Sequence, residues 1–293
     1  MNKKMSDFIA CQGVPGAFSH LAAKQVFPEK EVLFYATFEA VLDAVMQGKA
    51  ACALLPVENS AAGRVADMHR LLGNLPLYVT GEHFLRIRHC LLGTKRARVE
   101  DIRVVRSHPQ ALSQCHTFLK NLGVKTEAVG NTAAAAQEIA SLNQNDIAAV
   151  ASETAAELYG LKVLKTGIED SKLNTTRFWI LSRTPATDVD PENAVTSFVF
   201  WVKNKPAVLY KCLGGFATNG IDLLRLESYV DPECFLTSAG FLVDVAAHNE
   251  TPAFCRAMEE LAFFSEKVKI LGTYRAASFR IEMKKRQEEK NSQ

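Results

Sequence analysis

Along the first two thirds of the chain, short apolar runs alternate with stretches whose apolar residues recur at helical spacing. Strands are predicted over DFIACQG, VLFYA, ACALLPV, LYVTGEHFLRIRHCLLG, IRVVRS, KTEAVG, DIAAVAS and TRFWILS. Helices are predicted between them over SHLAAKQVF, TFEAVLDAVMQG, SHPQALSQCHTFLKNLG and TAAAAQEIASLNQ. Alternation of this kind implies α/β layers built on largely parallel sheets. The stretch LYVTGEHFLRIRHCLLG shows no helix within it, and TRFWILS stands late enough to return to the first half. Two α/β lobes joined by crossing strands, with a cleft between them, are therefore expected.

The pattern changes after SRTPATDVDPENAVT, whose Pro, Asp and Thr content reads as a linker. VTSFVFWV alternates as a strand, and PAVLYKCLGGFATNG reads as a helix opened by Pro206 and closed at Gly220. IDLLRLESYV and FLTSAGFLVDVAA are strands, TPAFCRAMEELAFFS is a helix, and VKILGTY is a last strand. This order is the ferredoxin-like βαββαβ plan. The expected division is 1–184 for the two-lobed part, 185–194 for the linker, 195–282 for the smaller domain and 283–293 for a charged tail.

Composition narrows the partners. A chain of 293 residues, 48% of them hydrophobic, can bury two or three ordinary cores. Its net charge is +2, and its basic residues are scattered apart from the final KKRQEEK, which argues against a nucleic-acid binder. That last run reads as a solvated, frayed end. Seven cysteines without a C-x-x-C pair suggest reduced thiols. DFIAC faintly resembles a lipoprotein cleavage site, but no apolar run of signal-peptide length precedes it, so it reads as the first strand. No stretch approaches the roughly 20 apolar residues of a membrane span, so a soluble, cytoplasmic protein with no membrane partner is expected.

One arrangement recurs in the first part: a strand ends, a small hydroxyl or amide residue follows, and a helix begins. It is read at Ser19, at Asn59 with Ser60, and at Ser107, Thr132 and Ser152. Each fits an N-cap, and Gln110 follows Ser107 at capping-box spacing. Capping alone accounts for any one of them. Together, N-termini on one edge of a sheet make a site for a small anion, with Gly13, Gly16 and Gly63 allowing close backbone approach. A compact, carboxylate-bearing ligand is expected. His83, His89 and the Cys115–His116 pair lack zinc-ligand spacing, and GxGxxG, P-loop and G-x-S-x-G motifs are missing, so no metal and no cofactor is expected.

The stretch DSKLNTTRFWIL sets Thr176 and Arg177 at the mouth of a buried strand. A threonine hydroxyl is a poor acid and a poor base, yet it donates well to an oxygen that is leaving as charge builds on it. The structural alternative is a strand-start threonine bonding its own backbone. Arg177 suits a carboxylate, and Phe178 could wall an aromatic or cyclohexadienyl ring. Elimination or decarboxylation of a carboxylated ring compound is the chemistry these residues suggest.

GVPGAFSHLAA, LPVENSAAGRV, SHPQALSQC, AAVASETAAELYGLKVL and above all NTTRFWIL resemble, in this order, the motifs of prephenate dehydratase. The C-terminal part resembles the ACT regulatory domain that follows the catalytic domain in monofunctional members of that family. The resemblance implies a clamp of two lobes, like a periplasmic binding protein, with the active site in the cleft. The reaction it implies converts prephenate to phenylpyruvate, water and carbon dioxide, on the route to phenylalanine, without a cofactor. The family's essential threonine falls on Thr176, beside Thr175, Arg177 and Phe178; the P-[IV]-E-N-[ST] segment supplies Glu58, Asn59 and Ser60; the S-H-P-Q…Q-C segment supplies Ser107 and Gln114. Catalytic roles are thus implied for Thr176, Arg177 and Asn59, and substrate contacts for Phe178, Ser107, Gln114, Ser60, Glu58 and Thr175.

The same resemblance places an amino-acid effector, phenylalanine, on Ala207, Val208, Leu209, Asp222, Leu223, Glu227 and Ser228. The sequence departs there from the usual pattern. PAVL stands for P-G-A-L, Asp222 replaces an Asn, and Tyr229 and Val230 replace Arg-Pro. In the family such effectors sit where two ACT domains meet, which implies a homodimer or homotetramer. Arogenate dehydratase shares the ring chemistry and is the nearest rival. A non-catalytic amino-acid-binding regulator is the rival from another class, and the intact N-T-T-R-F argues against it.

Overall fold

The computed structural model describes residues 7–229 and 239–291. The first part runs β1 (Phe8–Gln12), α1 (Phe18–Val26), β2 (Glu31–Tyr35), α2 (Phe38–Met46), β3 (Cys52–Asn59) and β4 (Gly63–Arg64). Then come α3 (Ala66–Leu71), β5 (Tyr78–Arg86), β6 (Cys90–Gly93), β7 (Val104–Ser107), α4 (Pro109–Gln114) and α5 (His116–Leu122). β8 (Lys125–Ala128), α6 (Thr132–Leu142), β9 (Ile147–Ala151), α7 (Glu153–Tyr159), β10 (Lys162–Thr166) and β11 (Thr175–Ser182) complete the first part. β12 (Ala194–Val202), α8 (Val208–Thr218), β13 (Leu223–Tyr229), β14 (Gly240–Val245), α9 (Pro252–Phe264), β15 (Ser265–Arg275) and α10 (Ser278–Asn291) follow.

The chain divides into two compact units, one of residues 1–65 and 84–178, the other of residues 66–83 and 179–293. β5 and β11 each run from one into the other. The first sheet has the order β2-β1-β3-β11-β5, with β4 added to β3 and β1 parallel to both neighbours. The second has the order β10-β6-β9-β7-β8. Here the expectation of largely parallel pairing needs correction. β7 is parallel to β8 and β9, but β6 is antiparallel to both β9 and β10. The antiparallel members are the strands by which the chain enters and leaves that sheet.

Strand alternation gives the second sheet two apolar faces. Leu91, Val105 and Val150 pack with Ala111, Cys115 and Leu119 on one side. Cys90, Leu92, Ala149 and Ala151 pack with Ala135, Ala136, Ile139 and Ala155 on the other. The stretch SHPQALSQCHTFLKNLG, expected as one helix, is two. The chain breaks at fully buried Cys115 (φ −114°, ψ 18°), and the freed Gln114 carbonyl accepts from the Asp170 N–H at 2.7 Å. That break holds the loop before β11 against α4.

In the second unit β12 to β15 form an antiparallel sheet of order β13-β14-β12-β15, the expected βαββαβ plan with α8 and α9. All nine residues of β12 are buried. Phe198 stacks on Phe216 at 5.6 Å and meets Phe254 edge-on at 6.3 Å. Each such ring contributes roughly 1.5–3 kcal/mol by leaving water. Residues 283–293, expected as a frayed tail, are helical as far as Asn291, within α10. After Met283 the helix is polar all round, so no apolar stripe announced that part of it. Its start is anchored by buried Glu82, whose carboxylate accepts two bonds from Arg280, each 2.8 Å, and one from the Ala277 N–H at 3.2 Å. Gly272 leaves no room for a side chain, since a Cβ there would overlap the Val79 carbonyl oxygen. Among the described residues no helix is long and apolar enough to cross a membrane, and the cysteines are free thiols, all buried except Cys255.

Candidate active site

β3 and β11 are neighbours in the first sheet, so the end of one meets the start of the other. The Ser60 N–H donates to Thr175 O, the Thr175 N–H donates to Ser60 Oγ, both at 2.9 Å, and the Ser60 hydroxyl donates to Leu173 O at 2.8 Å. Asn59 closes β3 where the chain turns into β4 through Gly63, whose φ of 78° is left-handed. Its side-chain oxygen accepts from the N–H groups of Ala61 (3.0 Å) and Ala62 (2.9 Å). Backbone N–H groups can only donate, so they fix which end of the carboxamide faces them.

Nδ2 of Asn59 must then face the other way, and it donates to Asn174 Oδ1 at 2.8 Å and to Thr176 Oγ1 at 2.9 Å. Thr176 is therefore the acceptor of that bond, and its own hydroxyl hydrogen has no acceptor among the described residues. Thr176 is 9% exposed. The direction carries on along the cluster. Asn174 presents Nδ2 to Gln114 Oε1 at 3.0 Å, and His89 Nε2 lies 2.9 Å from the same oxygen. Among the described residues nothing accepts from the half-buried Gln114 Nε2.

Thr176, Asn59 and Gln114, read from the sequence as site residues, are thus brought together. Ser60 and Thr175 brace the loop beneath them. Arg177, next to Thr176 on a strand, takes the opposite face. Its side chain is 2% exposed, with Nη1 3.8 Å from the half-buried Glu58 carboxylate and the guanidinium 5.9 Å from the Phe84 ring. That placement sets the guanidinium inside the fold beside Glu58.

Two expected substrate contacts are corrected. Phe178 is 1% exposed and belongs to the core. Ser107 is fully buried, and its hydroxyl donates to Val150 O at 2.6 Å inside the sheet. The caps shift as well. His108 caps α4, with Nδ1 accepting from the Gln110 N–H; Asn131, not Thr132, caps α6; Ser19 lies within α1; Asn59 and Ser60 open a hairpin rather than a helix. Ser152 is a true cap of α7 and also donates to Gly16 O at 2.7 Å. Gly16 (φ 85°) passes so close to α7 that a Cβ would lie 3.3 Å from Ala155. Asn174 and His89 were not assigned to the site. The first stood in the quoted N-T-T-R-F stretch, and the second was weighed only as a metal ligand.

Burial lowers the pKa of His89, against the opposing pull of the Gln114 bond and the Glu169 carboxylate. Burial also lowers His83, and burial with Lys24 lowers His20, whose Nδ1 accepts from the Gly16 N–H at 3.0 Å. A histidine whose folded pKa is depressed leaves the unfolded state binding more protons below its ordinary value. Stability is therefore full above that value and is lost as the pH falls toward the folded pKa values. The thermal midpoint is expected to be lower at about pH 5.5 than at about pH 7.5, and an equal or higher midpoint would contradict this placement.

The effector candidates divide. Val208, Leu209 and Leu223 pack into the core of the second unit, a correction to their reading as binding side chains. Glu227 lies 2.7 Å from Arg225 Nη2 and 3.1 Å from His69 Nε2. Ala207 takes the left-handed conformation (φ 57°) at the position where the family pattern has glycine, a strain of about 1–2 kcal/mol. Asp222 and Ser228 are exposed. Asp222 lines an 860 Å³ cavity with Leu224, Ala246 and residues of α10.

Residues 9–186 match the model of the prephenate dehydratase family. The chain is 45% identical over 273 residues to a bifunctional N-acyl-homoserine lactone acylase/prephenate dehydratase of Komagataeibacter europaeus, covering 93% of this chain and 97% of the relative. It is 39% identical over 274 residues to arogenate dehydratase/prephenate dehydratase 2, chloroplastic, of Arabidopsis thaliana, covering 91% and 72%. A prephenate dehydratase from Arthrobacter aurescens, solved in complex with L-Phe, superposes with a TM-score of 0.84 at 25% identity over 92% of this chain and 90% of that one. A quorum-quenching acylase structure superposes with a TM-score of 0.86 at 44% identity, covering 93% and 99%. Likeness of this length and closeness makes the chain a member of the prephenate dehydratase family and an enzyme of the lyase class.

Proposed function

We propose that the chain carries out the decarboxylating dehydration of prephenate to phenylpyruvate, with Thr176 as hydrogen donor to the departing hydroxyl. The observation that carries this reading is the Thr176 hydroxyl, which accepts from Asn59 and keeps its hydrogen for a ligand. In the reaction the bond from the ring to its carboxylate breaks and carbon dioxide leaves. The electron pair enters the ring, which becomes aromatic as the carbon–oxygen bond to the hydroxyl breaks. The prephenate dianion and one proton yield the phenylpyruvate anion, carbon dioxide and water.

Hydroxide is a poor leaving group at neutral pH, so the group the protein must supply is a donor at that oxygen. As charge builds there, the Thr176 O–H polarises and the Asn59 N–H bond to Oγ1 strengthens with it. Gln114 Nε2 holds an oxygen of the substrate. Glu58 and Arg177 keep β11 straight, and Ser60 and Thr175 keep the loop in place.

The catalytic part spans 1–184, the linker 185–194, and an ACT regulatory domain 195–282, the charged residues 283–293 extending its last helix. Phenylalanine inhibits through that domain, two copies of which meet in a cytoplasmic homodimer or homotetramer. Asp222, Ser228 and the backbone at Ala207 make the effector contacts. The L-Phe complex of the Arthrobacter relative supports this reading.

Phenylpyruvate release from prephenate, with and without phenylalanine, tests the proposal alongside solution mass and kcat/KM for arogenate. Turnover suppressed by phenylalanine in an oligomer is the expected result, and binding of prephenate without product would sink it. Amide hydrolysis of N-acyl-homoserine lactone is a second reading, favoured by the 45% identity to a relative that bears both names. Release of free homoserine lactone by the same preparation decides it.

A further inference from the structure

His89 takes no part in the chemistry described above, yet it ends the chain of bonds that begins at Asn59. The direction of every bond in that chain is set from one end. The N–H groups of Ala61 and Ala62 fix Asn59 Oδ1, so Asn59 gives hydrogens to Asn174 and Thr176. Asn174 then gives a hydrogen to Gln114, and the Gln114 atom that faces both Asn174 and His89 must be its oxygen. An oxygen there can only accept, so His89 must carry its hydrogen on Nε2. Nδ1 is left bare, and it is a buried nitrogen with no partner among the described residues.

From this we infer that His89 is a positioning residue for the dehydratase: as the Nε2–H tautomer it gives Gln114 Oε1 a second donor beside Asn174, which holds that oxygen inward and both hydrogens of Nε2 toward the ligand. The inference rests on the dehydratase reading of the same cluster. The reverse tautomer is excluded by geometry. A bare Nε2 would repel Gln114 Oε1, and turning Gln114 over would set its NH₂ against the NH₂ of Asn174. Turning Asn174 over would set it against Asn59, which two backbone donors hold fixed. The His89 ring itself is held by Phe18, edge-on at 5.4 Å, and by its own backbone N–H on Glu169 Oε2 at 2.9 Å. It has little freedom to leave.

The test pairs a spectroscopic readout with a rescue. Nitrogen NMR of the intact wild-type protein at neutral pH should show His89 protonated on Nε2 and bare on Nδ1; a hydrogen on Nδ1 alone overturns the inference. His89→Met fills similar space without a donor and should lower kcat/KM for prephenate about 10- to 100-fold. In His89→Gln the amide nitrogen stands where Nε2 stood, and activity should return to within about threefold of wild type. A His89→Met variant within about twofold of an active wild type, or a His89→Gln variant no better than His89→Met, overturns it. A wild type that turns over no prephenate removes the dehydratase reading and the role with it, while the tautomer stands or falls by NMR alone.

Discussion

Thr176→Val is expected to release phenylpyruvate about 10²- to 10³-fold more slowly than wild type, with KM changed far less. Valine keeps the shape and the β-branch that suit the first residues of β11, so the strand still forms. What it removes is the hydroxyl hydrogen that has no acceptor among the described residues. The hydroxyl meets an oxygen whose charge grows mainly as the bond to the ring breaks, so the loss falls on kcat. Thr176→Ser retains the hydroxyl and is expected to keep most of the activity. Steady-state kinetics on prephenate check both, and a Thr176→Val enzyme within about tenfold of wild type would take the threonine out of the reaction.

Asn59→Asp is expected to be as damaging, although it changes one atom. One carboxylate oxygen still accepts from the N–H groups of Ala61 and Ala62. The other now stands where Nδ2 stood, 2.9 Å from Thr176 Oγ1 and 2.8 Å from Asn174 Oδ1. It has no hydrogen to give. It draws the Thr176 hydrogen toward itself and repels the Asn174 oxygen, which reverses the chain as far as Gln114. A loss of roughly 10²-fold or more in kcat is the expected outcome, together with a lower thermal midpoint from the two opposed oxygens. Asn59→Ala, which deletes the donor together with the acceptor of the Ala61 and Ala62 N–H groups, leaves the Thr176 hydrogen free and should retain more activity than Asn59→Asp. The opposite ranking in a prephenate assay would show that the direction of these bonds does not govern the reaction.

Much of this site was legible in the sequence, for particular reasons. Asn59, Gln114 and Thr176 were marked by motif segments; Asn59 and Thr176 lie at the ends of strands that periodicity already placed, while Gln114 ends a helix only because the chain breaks at Cys115. Ser107 and Phe178 stood in the same segments and failed as ligand contacts. A strand sends neighbours to opposite faces, and whether a face is covered depends on what packs there. Val150 takes up the Ser107 hydroxyl, and the core closes over Phe178. Capping residues moved for a similar reason. Ser107 and Thr132 fit the cap in composition, but the backbone turned one residue from each, at His108 and Asn131. The final helix was missed because nothing apolar follows Met283 in it; buried Glu82, some 200 residues earlier, holds its start.

The amino-acid sequence by itself determined the alternation of most strands and helices, the change of plan after the linker, and the segments that carry the chemistry. Those follow from local periodicity and turn chemistry, which each short stretch contains whole. Only the tertiary structure decided which hydrogens the site offers. Asn59 and Thr176 are 117 residues apart, Asn174 and Gln114 are 60 apart, and His89 and Gln114 are 25 apart. A hydrogen bond has a direction only when donor and acceptor face each other, and two backbone N–H groups in a three-residue turn impose that direction on side chains drawn from all of these segments.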